Sequence, residues 1–170
     1  MESLLTHKQQ TLVIQETEKY IDLAGDIFQQ TYPMIAVQFD LTGHTIGMYK
    51  KYRNSRVIRY NAAIFLKYFS DNLSATVPHE VAHYIVDVNS RRKKVRPHGL
   101  EWQAIMAGFG ADASRTAQYD LTDIPKRNYT TLPYRCDCQV HQLGIRRHNK
   151  IAKQHSQYFC RLCGEQLVAV

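Results

Sequence analysis

Two histidines and a glutamate within Thr76–His83 have the spacing of a zinc site on a helix. Side chains four residues apart lie on one helix face, about 6 Å apart at Cβ, so His79 and His83 can both reach an ion at roughly 2.0–2.1 Å. Glu80 follows the first histidine, where a metalloprotease places the carboxylate that acts on water at the metal. The stretch therefore predicts two zinc ligands and a catalytic acid/base.

A catalytic zinc ion usually takes a third protein ligand. A metzincin would need glycine and histidine where this chain has Val86 and Asn89, so that arrangement is excluded. Two candidates remain downstream. His98 lies in a predicted turn that can return it over the histidine face, whereas Glu101, in the helix that follows, is the thermolysin-like alternative. We favour His98 as the ligand and expect Glu101 to orient a ligand instead.

A second cluster of metal-binding residues occupies the last part of the chain. All four cysteines lie after residue 135, in pairs whose spacing suits a structural zinc ion better than a disulfide framework. Five residues are candidates and tetrahedral zinc needs four of them: Cys136, Cys138, His141, Cys160 and Cys163. Which two of the first three would bind is left open. The pattern predicts a C-terminal zinc ribbon that needs its metal to fold.

The two clusters together resemble the SprT family, which includes the Spartan proteases that cut proteins crosslinked to DNA. The resemblance lies in His79–Glu80–x–x–His83, in His98–Gly99–x–Glu101–Trp102 fifteen residues later, and in the C-terminal cysteines. It covers nearly the whole chain. It implies a zincin-type catalytic domain with His79, His83 and His98 on zinc and Glu80 as acid/base.

Charge points to an acidic partner. The 170-residue chain carries a formal net charge of +7, which favours binding to nucleic acid. The basic run at residues 91–96 is a candidate phosphate-contacting loop, and the predicted ribbon adds Arg146, Arg147 and Lys150. Neither a secretory signal nor an apolar run of about 18 residues is present. We therefore expect a cytoplasmic monomer that binds DNA and a protein or peptide substrate but no membrane.

The elements that must position these residues follow from hydrophobic spacing. One or two helices are predicted over residues 3–31, followed by a small antiparallel sheet from strands at 37–41, 46–52 and 56–60. Asn61 should cap a helix that ends at 70–72, and Thr76 should cap the helix that carries the histidines, with Pro78 in its first turn. Asp87, one turn beyond His83, is a candidate partner for a ligand imidazole.

The expected fold is α+β, a zincin-like catalytic domain over residues 1–128 and a zinc ribbon over 129–170. The expected function is a zinc metallopeptidase that uses Glu80 and zinc-activated water, with DNA-bound or DNA-crosslinked proteins among its substrates. The alternative is a non-catalytic zinc-containing protein that binds nucleic acid or regulates transcription. Four closed ligands at the histidine site would favour that alternative, and an open coordination position would favour the enzyme.

Overall fold

A single long helix, α1 (His7–Phe28), opens the chain. Thr6 and Gln9 form a capping box at its start, in which each side chain bonds the other residue's backbone N–H. Val13, Ile21 and Ala24 lie on its buried stripe, so the predicted helical segment is one helix. In this computed structural model residues 4–53, 55–90, 95–114 and 118–170 are described, and the chain divides into two compact units, 1–126 and 127–170.

The sheet of the first unit has three strands: β1 (Ala36–Gln38), β2 (Gly47–Tyr52) and β3 (Ser55–Tyr60). Its order is β1-β3-β2, with β2 antiparallel and β1 parallel to β3. The expectation of an antiparallel sheet is therefore wrong for one pair. The chain after β1 crosses to the far side of β3 and reverses direction to form β2. The tight turn from β2 to β3 reverses it again, so β1 and β3 run parallel.

Asn61 anchors this crossover and starts the next helix, α2 (Ala62–Lys67). Its side-chain oxygen accepts from the backbone N–H groups of Ala63 and Ile64, which confirms the predicted cap. Its amide nitrogen donates to the carbonyl oxygens of Gly43 and Thr45 at 2.7 and 3.2 Å. One buried side chain thus ties the loop before β2 to the start of α2.

The helix that carries the histidines starts earlier than the sequence predicted. α3 (Phe69–Asp71), a π-helical turn (Asn72–Thr76) and α4 (Val77–Asn89) form an unbroken helical run. The prediction that Thr76 is an N-cap is wrong, because Thr76 has α-helical dihedrals and its hydroxyl donates to the Asn72 side chain at 2.7 Å. The helix that was predicted to end at 70–72 ends earlier, at Lys67, because Tyr68 has non-helical dihedrals. Pro78 lacks a backbone donor, and the wider π turn directly before it accommodates that loss.

α5 (Leu100–Gly108) completes the core of the first unit, where its Trp102, Ile105 and Met106 are buried against α1 and α4. Residues 111–114 and 118–126 contain neither helix nor strand. None of the helices in the described ranges combines the length and the apolarity that a bilayer crossing needs.

The second unit is built on a hairpin, β4 (Thr131–Arg135) and β5 (Val140–Gly144), with the short strand β6 (Val168–Ala169) on the other side of β4. All its pairings are antiparallel. Its core is small and contains Tyr134, Leu143, Cys160 and Leu167. A helix, α6 (Ile145–Ala152), carries the basic residues Arg146, Arg147 and Lys150 between the cysteine pairs. The α+β class and the C-terminal cysteine cluster are confirmed.

Candidate active site and metal centres

Three imidazoles from two separate segments converge on one point of the first unit. α4 carries His79 and His83 one turn apart, and His98 lies in the turn before α5. The turn closes through a bond from Gly99 N–H to the Arg96 carbonyl at 2.9 Å, and His98 itself has a left-handed backbone with φ of 55°. The Nε2 atoms are 3.2 Å apart for 79/83 and 3.0 Å apart for both pairs that include His98.

These separations fit a shared metal ion. Tetrahedral zinc at 2.0–2.1 Å from each nitrogen places neighbouring nitrogens roughly 3.3 Å apart. The three Nε2 atoms are close to that spacing and form one candidate metal group. Glu101, the alternative third ligand, is exposed and does not belong to the group.

Trp102 packs against the imidazole rings of all three histidines. Its indole N–H donates to the His79 carbonyl at 3.2 Å. Its ring lies 4.7 Å from the ring of His79, 5.8 Å from that of His83 and 4.8 Å from that of His98. Because Trp102 is almost fully buried, it gives the imidazoles a rigid support, which limits the ring positions they can adopt.

Burial also sets the charge state of the histidines. It lowers the pKa of His79 to about 4 and that of His83 to about 3, with repulsion between the neighbouring imidazoles as a smaller cause. Both rings are therefore neutral at pH 7. A neutral imidazole offers the lone pair that a metal ion requires.

Glu80 is held between α4 and strand β2. One of its carboxylate oxygens accepts from the Tyr49 backbone N–H at 2.6 Å, and the residue is only 6% exposed. Burial raises the pKa of Glu80 to about 7, against the opposing effect of this hydrogen bond. Strand β2 approaches so closely that a Cβ atom on Gly47 would lie 2.8 Å from Glu80 and from Thr76. Glycine at position 47 is what leaves room for the carboxylate.

Asp87 makes different contacts from those predicted. Its carboxylate accepts from the Tyr49 hydroxyl at 2.9 Å and pairs with Lys51 and Arg56 at 2.8 Å each. Burial would raise the pKa of Asp87, but the hydrogen bonds from Lys51, Arg56 and Tyr49 outweigh it and hold the pKa below its usual value. Asp87 therefore fastens α4 to strands β2 and β3, and among the described residues its partners include no histidine.

An open cleft of about 600 Å³ lies beside these groups. His79, Glu80 and His98 line one side of it. The beginning of β2 lines another, together with Asp112, Ser114, Gln118 and Tyr119. The Glu80 carboxylate and the imidazoles of His79 and His98 thus border a space large enough for an extended peptide segment. Of the predicted basic loop, residues 91–94 lie outside the described residues, and Arg96 is exposed.

The four cysteine sulfurs of the second unit form another candidate metal group, in which Cys136, Cys138, Cys160 and Cys163 lie within 4.8 Å of one another. The sulfurs of Cys136 and Cys138 are 3.4 Å apart, and those of Cys138 and Cys160 are 3.7 Å apart. Zinc at about 2.3 Å from each sulfur requires roughly 3.8 Å. The residues therefore fit a tetrahedral ion.

His141, the fifth candidate, lies beside this group. Its Nε2 is 3.3 Å from the Cys136 sulfur, and that hydrogen bond raises the pKa of His141. An imidazole N–H at this distance can donate to a thiolate that already binds a metal ion. Such a contact orients the ligand and offsets part of its charge.

Comparison with known proteins identifies the family. A family model described as SprT-like matches residues 17–123, which include the three histidines and Glu80. The chain belongs to the SprT family. Proteins named Protein SprT match most of its length: that of Escherichia coli O1:K1 / APEC is 39% identical over 141 residues, 82% of this chain and 81% of the relative.

Two further relatives of the same name support the SprT assignment. The protein of Vibrio parahaemolyticus serotype O3:K6 is 36% identical over 149 residues, 86% of each chain. That of Yersinia pestis is 36% identical over 159 residues, 93% of this chain and 89% of the relative. No solved structure gave a match.

Several residues of this SprT-family site were not found by sequence reasoning. Trp102 was recognised as part of the His98 motif, but not as a residue that packs against all three rings. Gly47 and Tyr49 were seen only as parts of a strand, although both touch Glu80 or its surroundings. For Trp102 the sequence offered one indication of its proximity to the site, since it lies four residues after His98. The contacts of Gly47 and Tyr49 had no signal, because they depend on where β2 passes α4.

Proposed function

We propose that the protein is a zinc-dependent peptidase with a zincin-like catalytic unit. The observation that carries the proposal is the convergence of three Nε2 atoms at 3.0–3.2 Å beside a buried glutamate on an open cleft. His79, His83 and His98 would hold the zinc ion. Three protein ligands leave the fourth tetrahedral position for water or substrate, as in catalytic zinc sites.

The chain's own residues have distinct tasks in this proposal. Bound zinc supplies a Lewis acid that polarises the scissile carbonyl and acidifies water. Glu80 accepts the proton of the attacking water and delivers it to the leaving amine. The bond from the Tyr49 N–H holds one Glu80 oxygen and leaves the other for this transfer. Trp102 keeps the imidazoles aligned through its ring contacts with all three of them.

A second zinc ion would be structural and held by the four cysteines. The second unit has four buried core residues among those described. A core of this size is too small to fold the unit without a metal ion or another cross-link. His141 would donate to the Cys136 thiolate rather than bind the metal.

We further propose that the second unit binds nucleic acid. α6 exposes Arg146, Arg147 and Lys150, while its Ile151 packs into the core of the unit. Cations on one exposed helix suit contacts with phosphates. Recruitment through DNA would direct the peptidase to DNA-bound or DNA-crosslinked proteins. The alternative is a nucleic-acid-binding protein without catalysis, and the cleft beside Glu80 favours the enzyme.

Replacement of Glu80 by Gln tests the catalytic proposal. An amide cannot accept the proton, so cleavage of an unfolded protein such as β-casein should fall by about 10²- to 10⁴-fold, with zinc content unchanged. Glu101→Gln is the matched control, because it makes the same change at an exposed glutamate of the same unit. Equal activity of both variants and the wild type would reject Glu80 as the acid/base. Zinc-loaded wild type that cleaves no substrate, either free or on DNA, would favour the non-catalytic alternative.

A further inference from the structure

Residues 118–124, of which Gln118 and Tyr119 line the cleft, form an irregular segment that is firmly anchored. The Lys67 ammonium and the Tyr68 hydroxyl both donate to the Asp120 carbonyl at 2.8 Å. The His44 Nε2 donates to the Ile124 carbonyl at 2.9 Å. These anchors come from the end of α2 and from the loop before β2, so two separate parts of the first unit fix this segment.

Tyr119 is the aromatic residue that this segment adds to the cleft. Its ring is stacked on that of Tyr68, with centroids 4.3 Å apart and planes 7° apart. It lines the same cleft as His79, Glu80 and His98. The stack restricts the ring to one orientation, so a substrate contact would cost little additional side-chain entropy.

The hydroxyl of Tyr119 differs from those of other tyrosines near α4. The Tyr49 hydroxyl donates to Asp87 at 2.9 Å, and the Tyr84 hydroxyl donates to the Pro33 carbonyl at 2.7 Å. The Tyr60 hydroxyl lies 3.5 Å from that of Thr17, inside the core. Within the described ranges, no residue pairs with the Tyr119 hydroxyl, although the residue is half-buried.

We propose that Tyr119 is a substrate-contacting residue whose hydroxyl donates a hydrogen bond to a backbone carbonyl of the polypeptide in the cleft. The inference rests on the proposed peptidase function for its substrate class, an extended polypeptide. A peptide in the cleft presents carbonyl oxygens along its length, and each one that leaves water benefits from a new donor. The phenol meets that requirement from a fixed position.

The protonation state of Tyr119 agrees with this role. Burial raises the pKa of its phenol, and the nearby negative charge of Asp71 raises it further. The hydroxyl therefore keeps its proton at neutral pH and is available as a donor.

Binding of fluorescein-labelled β-casein, an unfolded protein, tests the proposal without any need for turnover. Fluorescence anisotropy would compare zinc-loaded Glu80→Gln protein with the Glu80→Gln/Tyr119→Phe double variant. Loss of one neutral hydrogen bond should weaken binding by about three- to tenfold. Thermal stability and zinc content should be unchanged, because the change removes only an oxygen atom. Glu80→Gln/Tyr129→Phe is the matched control, since Tyr129 is 72% exposed in the other unit.

Kinetics of the single variant give a second readout. Tyr119→Phe should raise KM for β-casein by the same factor and change kcat less, because the bond forms already in the bound substrate. Equal affinity of the two inactive proteins would overturn the assignment of Tyr119, and so would an absence of casein binding to both.

The two proposals can fail separately. Cleavage by the wild type together with equal binding by the two inactive proteins would leave the peptidase intact and remove Tyr119 from substrate contact. Casein binding that depends on the Tyr119 hydroxyl, in a protein that never cleaves casein, would retain Tyr119 as a polypeptide contact and reject the catalytic proposal.

Discussion

The two candidate metal groups differ in what supports them. The histidines lie on a core of nineteen buried residues in the described part of the first unit, whereas the core of the second unit has four. Burial of apolar surface can hold the first unit together without metal, but it is insufficient for a unit of about 44 residues. The same metal would therefore serve chemistry in one unit and folding in the other.

The ligands reflect the same difference. The three histidines come from α4 and from the turn before α5. Trp102 packs against their rings, and the contacts of Asp87 fix α4 against the sheet. The cysteines come from two separate pairs, Cys136/Cys138 and Cys160/Cys163, and Cys138 and Cys163 are exposed. A prearranged site can leave one coordination position open, whereas a structural site uses all four ligands to tie separate loops together.

Removal of zinc should have the largest and most different effects on the folding of the two units. Structural zinc contributes roughly 10–16 kcal/mol to small zinc modules, so a strong chelator should unfold the second unit and leave the first folded. In ¹H–¹⁵N spectra of the full chain, amide signals from residues 127–170 should collapse while those of α1 and α4 persist. Elemental analysis of the loaded protein should give two zinc ions per chain.

Dispersed amide signals from the second unit in the absence of zinc would contradict the conclusion that its fold depends on the metal. A stoichiometry that stays at one zinc ion in the presence of excess zinc would remove one of the two sites.

Zinc affinity at the histidine site should depend on its third ligand. His98→Ala removes one of three donors and should weaken zinc binding at this site by about 100-fold or more, whereas Glu101→Ala should leave affinity unchanged. Competition with a chromogenic chelator would measure both variants, with signals of the second unit as an internal control. The reverse ranking would show that Glu101 is the ligand.

Substitution of two glycines by alanine should have smaller effects and tests how closely β2 approaches Glu80. A methyl group on Gly47 would lie 2.8 Å from Glu80, whereas one on Gly144 would meet nothing within 4 Å. Gly47→Ala should destabilise the first unit by about 1–3 kcal/mol and lower peptidase activity by displacing Glu80. Gly144→Ala should change stability by less than about 0.5 kcal/mol. Chemical denaturation and casein cleavage measure both, and equal effects would mean that β2 moves to make room.

Charge on α6 should have the smallest effect on the fold. Replacement of Arg146, Arg147 and Lys150 by Ala should weaken DNA binding for all sequences alike and reduce the salt slope by about 0.9 per lost phosphate contact. Zinc content should not change. Lys8→Ala/Lys50→Ala is the control, since both lysines are exposed in the first unit.

The same α6 variant distinguishes recruitment from folding. Cleavage of a DNA-bound protein should fall more than cleavage of free unfolded casein. Equal loss on both substrates would mean that α6 supports the fold, and unchanged DNA affinity would mean that the positive charge has another purpose.

Local patterns predicted much of the architecture. The α+β class, the first helix and the cap at Asn61 follow from short-range rules of spacing and capping, and the structure agrees with each. The parallel pairing of β1 was not predictable in that way, because it depends on the path of the chain across the sheet. The early start of the α4 helical run was also missed. Its π turn continues through residues whose sequence resembles a helix end.

The sequence by itself determined which residue types could do chemistry and how far apart they are along the chain. Ligand spacing on a helix is a local property, so the histidine pair and the cysteine pairs could be recognised without coordinates. Only the tertiary structure decided that His98 meets that pair, that Tyr49 and Gly47 shape the position of Glu80, and that Asp87 bonds the sheet instead of an imidazole. These contacts join residues 15–38 positions apart. They depend on how packed elements pass one another, and no local pattern encodes that.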